Sequence, residues 1–347
     1  MDALSSAQNK LLPEMSELLK KRYQILQAIH QEQPIGRRTL SEFLGMTERD
    51  IRRETDLLRN QQLIEMKTAG MVITGQGEEV LDALKTFMHK LTGIADLAEK
   101  LKKQLEIADV ILVPSDSDKA IAVKSQIGKE AARLLEKDFK AGMKVAVTGG
   151  STIAAIAKEL KDVKSCPPLQ FIAARGGLGE DVLHQANTIA SAFAEKTGGT
   201  FKSLYLPDHL SEEAYAMMMK EPLMKEMMGL YEQTDLVVHG IGNADEMAVR
   251  RKSTPEEMEK ISGGGAVSEA FGYYFDGHGN VVYRIRSAGI QLEQVNKAPA
   301  IIAVAGGRSK AKAILSYFKN APKHTVLVTD EGAAREILEH TENLGGN

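Results

Sequence analysis

A strand-turn-helix pattern at residues 145–152 constrains the fold more than any other part of the chain. It reads Val-Ala-Val-Thr-Gly-Gly-Ser-Thr, and an apolar helical pattern begins directly after it. Gly149 and Gly150 allow a sharp turn and a close approach of the backbone to a ligand. Ser151 and Thr152 place hydroxyls at a helix start, where free N–H groups and the helix dipole attract anions. We call residues 149–152 the glycine turn and predict that it binds phosphate.

From about residue 107 onward, strand and helix patterns alternate along the chain. The predicted strands are 109–113, 144–148, 169–174, 201–206, 235–239, 280–285, 300–305 and 324–329. The predicted helices are 119–137, 152–161, 181–197, 211–230, 308–319 and 331–340. Such alternation predicts an α/β fold, a mostly parallel, Rossmann-like doubly wound sheet with helices on both faces. We assign residues 107–347 to this domain.

Other glycine-bearing turns end several of the predicted strands. They are 175–179, which contains Gly177, Leu178 and Gly179, and 240–242, 306–310 and 329–332. Ligands of open α/β sheets bind just outside the carboxyl ends of the strands, so these turns predict one anion-binding crevice. Arg175 and Lys310 are candidates to pair with phosphates, and Glu269 to accept sugar hydroxyls. A lone Gly-Gly turn more often serves tight packing, and Arg250-Arg251 is equally typical of a solvated surface pair.

The first 91 residues show the element order of a winged helix-turn-helix domain. Helical patterns at 10–31, 39–44 and 47–60 precede a short hairpin at 63–74 and a helix at 77–91. That order is typical of DNA-binding modules. Thr47 begins the third helix, with Asp50 at the third following position, a loose capping box.

Candidate DNA contacts cluster on that third helix. Arg49, Arg52 and Arg53 are spaced i, i+3, i+4 and share one face near the helix start, where a recognition helix meets base edges. Further candidates are Arg37 and Arg38, placed before the preceding helix to hold phosphates, Thr47 at the helix start, and Lys67 in the hairpin. Acidic residues interleave, so a solvated, salt-bridging helix is the alternative. Residues 1–67 contain 11 Lys and Arg against 10 Asp and Glu, so the element order and not the charge favours DNA binding.

An apolar seam connects the two domains. Its members are spaced 3, 4, 3, 4, 3, 4: Leu84, Phe87, Leu91, Ile94, Ala98, Leu101 and Leu105. The spacing is a heptad pattern and predicts a dimerisation seam, with residues 92–106 as a helical linker. We therefore expect a homo-oligomer, a dimer and on DNA a tetramer. An ordinary amphipathic helix packed on its own domain fits the seam equally well.

Composition excludes several classes of protein. The chain has 347 residues, a formal net charge of −3 and one cysteine. One cysteine excludes an intrachain disulfide or a cysteine-rich metal site, and we expect no metal and no cofactor. No signal-peptide pattern opens the chain and no apolar stretch has membrane-spanning length, so we expect a cytoplasmic protein that does not bind membranes.

Taken together, these motifs resemble the sugar-binding (SorC-type) family of bacterial transcriptional regulators. The resemblance is carried by Gly-Gly-Ser-Thr, Ala-Arg-Gly-Gly-Leu-Gly-Glu-Asp, His-Gly-Ile-Gly, Glu-Ala-Phe-Gly-Tyr-Tyr-Phe and Ala-Gly-Gly-x-Ser-Lys-Ala, in this order after a winged helix. It extends to Pro-Ile-Gly-Arg-Arg at 34–38 and Val-Thr-Asp-Glu-Gly-Ala-Ala at 328–334. It therefore covers nearly the whole chain.

The resemblance implies an effector domain related to sugar-phosphate isomerases, with binding kept and catalysis absent. It also implies repression of a glycolytic operon, relieved by fructose 1,6-bisphosphate. The implied effector ligands are the glycine turn, Arg175, Gln185, Glu269 and Lys310, with Arg250 nearby. Ser151 keeps the hydroxyl at a position where the family often has Thr.

A second hypothesis is an enzyme, a sugar-phosphate isomerase or deaminase with an added N-terminal domain. It requires an acid and a base over the sugar. Candidates by position are Asp116, Asp118, His239, Glu269 and Asp330, but no pair among them is recognisable as a catalytic unit. We favour the repressor, whose partners are operator DNA and a phosphorylated sugar.

Overall fold

The computed structural model describes residues 11–91, 93–161, 168–176, 181–206, 211–285 and 288–344. Cys166 and the predicted site residues Gly177, Leu178 and Gly179 lie outside these ranges. Within them, no helix is both long and apolar enough to cross a membrane.

The N-terminal part is a winged helix-turn-helix module, as the sequence predicts. Helices α1 (Pro13–Glu32), α2 (Arg37–Leu44) and α3 (Glu48–Asn60) precede strands β1 (Ile64–Lys67) and β2 (Gly70–Ile73) and helix α4 (Gly75–Leu91). One cluster of buried apolar side chains joins the helices to the hairpin. Gly45 follows α2 with φ 64°, a left-handed conformation that glycine adopts without strain. The Thr47 hydroxyl accepts the N–H of Asp50 at 3.1 Å and so caps α3.

The apolar seam is divided between two helices. Helix α4 ends at Leu91, Gly93 takes φ 66°, and α5 (Ile94–Leu105) begins a new helix. Leu101 and Leu105 are at most 3% exposed and belong to the core of the C-terminal sheet. The α5 half of the seam is therefore covered by its own chain, which supports the packing interpretation over a coiled coil for that half.

The C-terminal part contains two sheets. Its strands are β3 (Asp109–Val113), β4 (Lys144–Val147), β5 (Gln170–Ala173), β6 (Thr200–Lys202), β7 (Leu236–Gly240), β8 (Gly242–Asn243), β9 (Ala266–Ala270), β10 (Tyr273–Asp276), β11 (Val281–Arg284), β12 (Ala300–Val304) and β13 (Thr325–Asp330). Seven of them form a parallel sheet in the order β3-β13-β12-β7-β4-β5-β6. The chain order reverses between β4 and β7, which makes their carboxyl ends the topological switch point, where ligands of such sheets bind. The other four form an antiparallel sheet in the order β11-β10-β9-β8.

Helices cover both faces of the parallel sheet. The helices that follow α5 in the described residues are α6 (Ile121–Asp138), α7 (Ser151–Glu159), α8 (Ala186–Thr197), α9 (Glu212–Met218), α10 (Pro222–Glu232), α11 (Ala244–Arg250), α12 (Pro255–Gly263), α13 (Leu292–Lys297), α14 (Ala311–Phe318) and α15 (Glu331–Leu344), of which α11 and α12 pack with the antiparallel sheet instead. Helices α6, α7 and α8 pack on one face, and α5, α10, α14 and α15 on the other. Successive residues of β4 alternate between the two cores, Ala146 on one side and Val147 on the other. Both faces are buried, which explains the continuous apolar runs of these strands.

The structure confirms the predicted fold class and changes several elements. Seven of the eight predicted strands lie in the parallel sheet, whereas the segment predicted as strand 280–285 becomes β11 of the antiparallel sheet. The predicted helix 211–230 is two helices, because Pro222 begins a new one. Strands β8, β9 and β10 were not predicted, since polar residues such as Ser268 and Glu269 interrupt their apolar pattern although both are buried.

Candidate functional site

A cavity opens at the carboxyl ends of β4 and β7, at the switch point of the parallel sheet. Its volume is about 710 Å³, within the range of about 300–1,000 Å³ that is usual for small-molecule sites. Nine of the twelve residues predicted to bind an effector line it: Gly149, Gly150, Ser151, Thr152, Arg175, Gln185, Arg250, Glu269 and Lys310. The other three, Gly177, Leu178 and Gly179, lie outside the described residues. The fold thus brings the nine together, and their contact with a ligand stays a prediction.

The glycine turn is shaped by the backbone of the 181–185 segment. A Cβ at Gly149 would lie 2.7 Å from the carbonyl oxygen of His184, which no side chain could tolerate. Gly150 has φ 121° and donates its N–H to the same carbonyl oxygen at 2.8 Å. Helix α7 begins at Ser151 without a side-chain cap. The N-terminus of α7 therefore stands in the cavity wall with an uncapped first turn, an arrangement that attracts anions.

Lys310 brings a largely buried ammonium group to the same cavity. It ends the 306–310 turn after β12, where Gly307 has φ 98°. Burial lowers the pKa of Lys310, the carboxylate of Glu246 opposes that shift, and the charges of Lys124 and Arg250 add to it. An anion bound beside Lys310 would stabilise its charged form. The cavity thus holds a lysine whose charged form is disfavoured by burial and would be favoured by a bound anion.

Two guanidinium groups share one buried carboxylate in the cavity wall. Oε1 of Glu269 lies 2.9 Å from Nη2 of Arg251 and 3.6 Å from Nη1 of Arg175. The same oxygen accepts the backbone N–H of Gly272 at 2.5 Å. Arg175 is 6% exposed and Glu269 4%. One buried carboxylate oxygen therefore contacts two guanidinium groups and holds both arginines in the cavity wall.

The rim of the cavity carries charges of both signs. Arg250 is exposed at the end of α11. Nδ1 of His184 lies 2.5 Å from Oδ2 of Asp181. This hydrogen bond lowers the pKa of Asp181, and the charge of Arg250 lowers it further. Gln185 is the residue after His184 and lies directly before the first turn of α8.

Cationic side chains outnumber anionic ones around the cavity. The described lining residues include five cations, Arg175, Arg250, Arg251, Lys252 and Lys310, and three carboxylates, Asp181, Glu246 and Glu269. The excess of positive charge favours anionic over neutral ligands.

The fold itself engages most candidate acids and bases of the enzyme hypothesis. Asp330 is fully buried and accepts three backbone N–H groups. Asp116 and Asp118 accept backbone N–H groups of the 306–310 turn at 3.3 and 2.7 Å. His239 is fully buried, and burial lowers its pKa to about 4. Of these five candidates, Glu269 alone is among the described residues that line the cavity.

Helix α3, the predicted recognition helix, presents its arginines in two environments. Arg49 and Arg52 are exposed to solvent. Arg53 is also exposed, but its Nη2 lies 2.8 Å from Oε1 of Glu54. Glu54 is 2% exposed on its side chain and also accepts a hydrogen bond from Nε of Arg22 at 2.9 Å. Among the three arginines of the predicted face, Arg49 and Arg52 are therefore the ones more available for contact with DNA.

Arg37 and Arg38 lie in the first turn of α2, not before it. Nε of Arg37 donates to Oγ1 of Thr55 at 3.2 Å, and its guanidinium pairs with Asp56, so this arginine ties α2 to α3. Its expected contact with a DNA phosphate stays a prediction, and that contact would compete with the pairing to Asp56. Arg38 is 82% exposed and lies 3.3 Å from Glu42 one turn later.

Thr47 and Lys67 complete the set predicted to contact DNA. The Thr47 hydroxyl donates to Oδ2 of Asp50 at 2.9 Å and accepts its N–H, so it serves as a helix cap. Lys67 is exposed at the end of β1, opposite Gly70 in the hairpin register. A cation at the tip of the wing is well placed to approach a DNA backbone.

Comparison with known proteins assigns the family. A family model described as "CggR N-terminal DNA binding domain" matches residues 18–88, and one described as "Putative sugar-binding domain" matches residues 89–339. The chain is 46% identical to the central glycolytic genes regulator of Bacillus subtilis over 97% of this chain and 99% of the relative. It is 44% identical to the protein of the same name from Priestia megaterium, again over 97% of this chain and 99% of the relative.

The chain belongs to the SorC-type family of sugar-binding transcriptional regulators. A SorC-family regulator from Enterococcus faecalis is similar in structure, with TM-score 0.66 and 41% identity, over 70% of this chain and 99% of that one. The full-length sorbitol operon regulator of Klebsiella pneumoniae shares the fold, with TM-score 0.66 and 17% identity, over 92% of this chain and 98% of that one.

Sequence reasoning missed several side chains of this SorC-type cavity. His184, Asp181 and Glu246 line it, yet none of them lies in a glycine-bearing turn at a strand end. The place of Asp181 and His184 follows from the 181–185 segment folding back on the glycine turn, whereas Glu246 comes from the first turn of α11. The glycine at position 149 was the available signal, because it indicates that another group approaches the backbone closely. It does not specify which segment of the chain that group belongs to.

Proposed function

We propose that this SorC-type regulator represses a glycolytic operon and that a phosphorylated sugar, fructose 1,6-bisphosphate, binds the cavity and relieves repression. The observation that carries the proposal is the meeting of the glycine turn, Lys310 and the Arg175–Glu269–Arg251 cluster in one cationic cavity. The names of the two relatives, regulators of central glycolytic genes, support the choice of operon.

The cavity offers two separate places for phosphate groups. The uncapped start of α7 and the ammonium of Lys310 suit one phosphate, because a helix N-terminus and a buried cation both stabilise a dianion. Arg175 and Arg250 suit the second, since guanidinium groups bind phosphate through paired N–H donors. Glu269 then accepts a sugar hydroxyl while its Oε1 keeps the contact with Arg251. A bisphosphorylated sugar satisfies both positions, which a monophosphate does not.

The DNA-binding part of the proposal rests on α3 and the wing. Exposed Arg49 and Arg52 approach base edges, while Arg38 and Lys67 approach phosphates. We propose that the protein binds its operator as a homo-oligomer, since a single recognition helix contacts only a half-site. The effector releases DNA because it binds the DNA-free state more tightly, and coupling of this kind is reciprocal.

A mobility-shift titration tests the proposed function. The full chain is bound to promoter DNA of its own glycolytic operon and titrated with fructose 1,6-bisphosphate, with unphosphorylated fructose as the control. The expected result is release of DNA by the bisphosphate only. Persistence of the complex at all bisphosphate concentrations, or equal release by fructose, would overturn the proposal.

A turnover assay on phosphosugars separates the repressor from the enzyme hypothesis. We expect no conversion of fructose 1,6-bisphosphate, fructose 6-phosphate or glucosamine 6-phosphate by the full chain. Measurable turnover that is lost in Glu269→Gln would support the enzyme instead.

A further inference from the structure

A lysine outside the cavity lining contacts the glycine turn. Nζ of Lys124 donates a hydrogen bond to Oγ of Ser151 at 3.3 Å. Lys124 belongs to the first turn of α6, 27 residues before Ser151 in the chain. It is not among the residues that line the cavity. The ammonium group therefore approaches the glycine turn from its outer side.

Close packing of α6 against α7 determines this contact. A Cβ at Gly128 would lie 2.9 Å from the backbone carbonyl of Ala155, so the two helices approach at that point as closely as backbones allow. Lys124 lies one turn before Gly128 on α6, and Ser151 one turn before Ala155 on α7. Residues one turn apart lie on the same face of a helix, so the Gly128 contact places Lys124 beside Ser151.

The charge of Lys124 also reaches the interior of the cavity. It is one of the charges that lower the pKa of Lys310, which means that the two ammonium groups are close enough to repel each other. No carboxylate of the described residues lies within 4 Å of Lys124 as an ion-pair partner, whereas Lys119 in the loop before α6 pairs with Asp116. A positive charge kept near a second one is costly unless an anion joins them.

We propose that Lys124 is a positioning residue for the phosphate bound at the glycine turn, acting through the hydroxyl of Ser151. The ammonium group occupies a lone pair of Oγ, so the Ser151 hydroxyl directs its own hydrogen away from Lys124 and toward a phosphate oxygen in the cavity. The positive charge of Lys124 polarises this hydroxyl and makes it a stronger donor. The Ser151 hydroxyl therefore connects Lys124 to the phosphate through two successive hydrogen bonds. This inference rests on the proposed function.

A double-mutant cycle tests the chain of contacts. Lys124→Met, Ser151→Ala and the double variant are titrated by calorimetry with fructose 1,6-bisphosphate and separately with inorganic phosphate. Removal of Lys124 is expected to weaken binding of both ligands about three- to tenfold in the parent, the range of an ordinary hydrogen bond exchanged with water, because Lys124 acts on the phosphate only through Ser151. In the Ser151→Ala background, removal of Lys124 should reduce ligand affinity by less than about twofold, since the effects of coupled residues are non-additive. Lys137→Met, an exposed lysine at the far end of α6, is the control of equal charge and should bind as the parent does.

Salt and conservative variants distinguish the proposed role from a packing role. Lys124→Arg should restore most of the affinity, and Lys124→Gln, which keeps a donor without charge, should restore less. The salt dependence of phosphate affinity should be shallower in Lys124→Met than in the parent, because one cation no longer acts on the anion. If Lys124→Met fails to fold, the Gln variant and its cycle with Ser151→Ala give the same comparison.

Three possible results distinguish failure of the inference from failure of the proposed function. Equal affinity of Lys124→Met and parent, or an equal loss in the Ser151→Ala background, overturns the inference and leaves the proposed function standing. A parent that binds inorganic phosphate with the expected cycle but does not bind the bisphosphate overturns the proposed effector and supports the inference. A parent that binds neither ligand overturns both.

Discussion

Replacing Lys310 by methionine separates the charge of the cavity from its shape. Methionine keeps a similar unbranched apolar stem and removes the ammonium group, which is largely buried. In the proposed function this group binds one phosphate of the sugar. The prediction is that Lys310→Met binds fructose 1,6-bisphosphate much more weakly than the parent does.

The magnitude follows from the environment of the ammonium. Hydrogen bonds to charged groups contribute about 1.5–3 kcal/mol, which corresponds to about a ten- to hundredfold change in affinity. Burial strengthens the attraction to an anion, while the free-energy cost of keeping Lys310 charged inside the protein works against it. We therefore expect a loss within that range rather than beyond it.

The pH dependence gives a second signature of the same group. Burial holds the pKa of Lys310 below the ordinary lysine value in the ligand-free protein, and a bound dianion raises it again. The affinity of the parent should therefore fall as pH rises through the ligand-free pKa of Lys310, and Lys310→Met should lack this decline. The pKa of Lys310 is lower in the folded state than in the unfolded state, so between these two pKa values the unfolded chain binds more protons. The stability of the ligand-free parent therefore rises with pH between them. Lys310→Met should be more stable than the parent at neutral pH and lack that rise.

Calorimetric titration at neutral and alkaline pH measures the affinity for the bisphosphate and its pH dependence. Thermal unfolding of the ligand-free proteins measures their stability. The matched control is Lys312→Met, a neighbouring lysine on α14 that is exposed. An affinity within twofold of the parent, together with an unchanged alkaline decline, would refute the assignment of Lys310 to the phosphate.

Three further predictions concern the recognition helix and the cavity wall. Arg52→Ala should weaken operator binding by about 1–3 kcal/mol in a mobility-shift assay if it reads a base, more than the equally exposed Arg59→Ala, and equal effects would remove that role. Gly272→Ala should destabilise the fold by about 1–3 kcal/mol in denaturant unfolding and weaken bisphosphate binding. The reason is that its φ is 84° and a Cβ would lie 2.1 Å from a guanidinium nitrogen of the arginine that follows β5. Gly277→Ala, with open space around it, is the control, and an equal unfolding midpoint for the two variants would contradict the strain argument. Thr152→Val keeps the shape and removes the hydroxyl, and calorimetry should show about a three- to tenfold loss of bisphosphate affinity; an unchanged Kd would show that its hydroxyl does not contact the ligand.

The local patterns that predicted the fold are those whose cause lies within a few residues. Thr47 caps α3 because its hydroxyl reaches an N–H three positions later. The glycine turn was recognised because two glycines between an apolar strand and a helix allow a sharp turn and a close approach that other residues do not. Pro222 shows the limit of such reasoning, since the apolar pattern continued across a proline that in fact begins a new helix.

The candidate site was predictable in its type of chemistry and less so in its members. Lys310, Arg175 and the glycine turn follow strand ends, and parallel strands bring their carboxyl ends to one edge. His184 and Asp181 do not follow a strand, so their place in the cavity depended on how the 181–185 segment returns to Gly149. The pairing of Arg37 with Asp56 on the next helix was not predicted either, because it joins two helices.

The sequence by itself determined the strands of the parallel sheet and most of the helices and turns between them, because periodicity, caps and glycine geometry act over one or two turns of chain. It also determined that α5 carries an apolar stripe. Only the tertiary structure decided that Leu101 and Leu105 of this stripe pack in the core of their own sheet. In the same way it decided that Lys124 meets Ser151, because that contact needs two helices distant in sequence to approach at Gly128. An apolar or charged side chain specifies the kind of partner it needs, and the packing of the whole chain selects which one it meets.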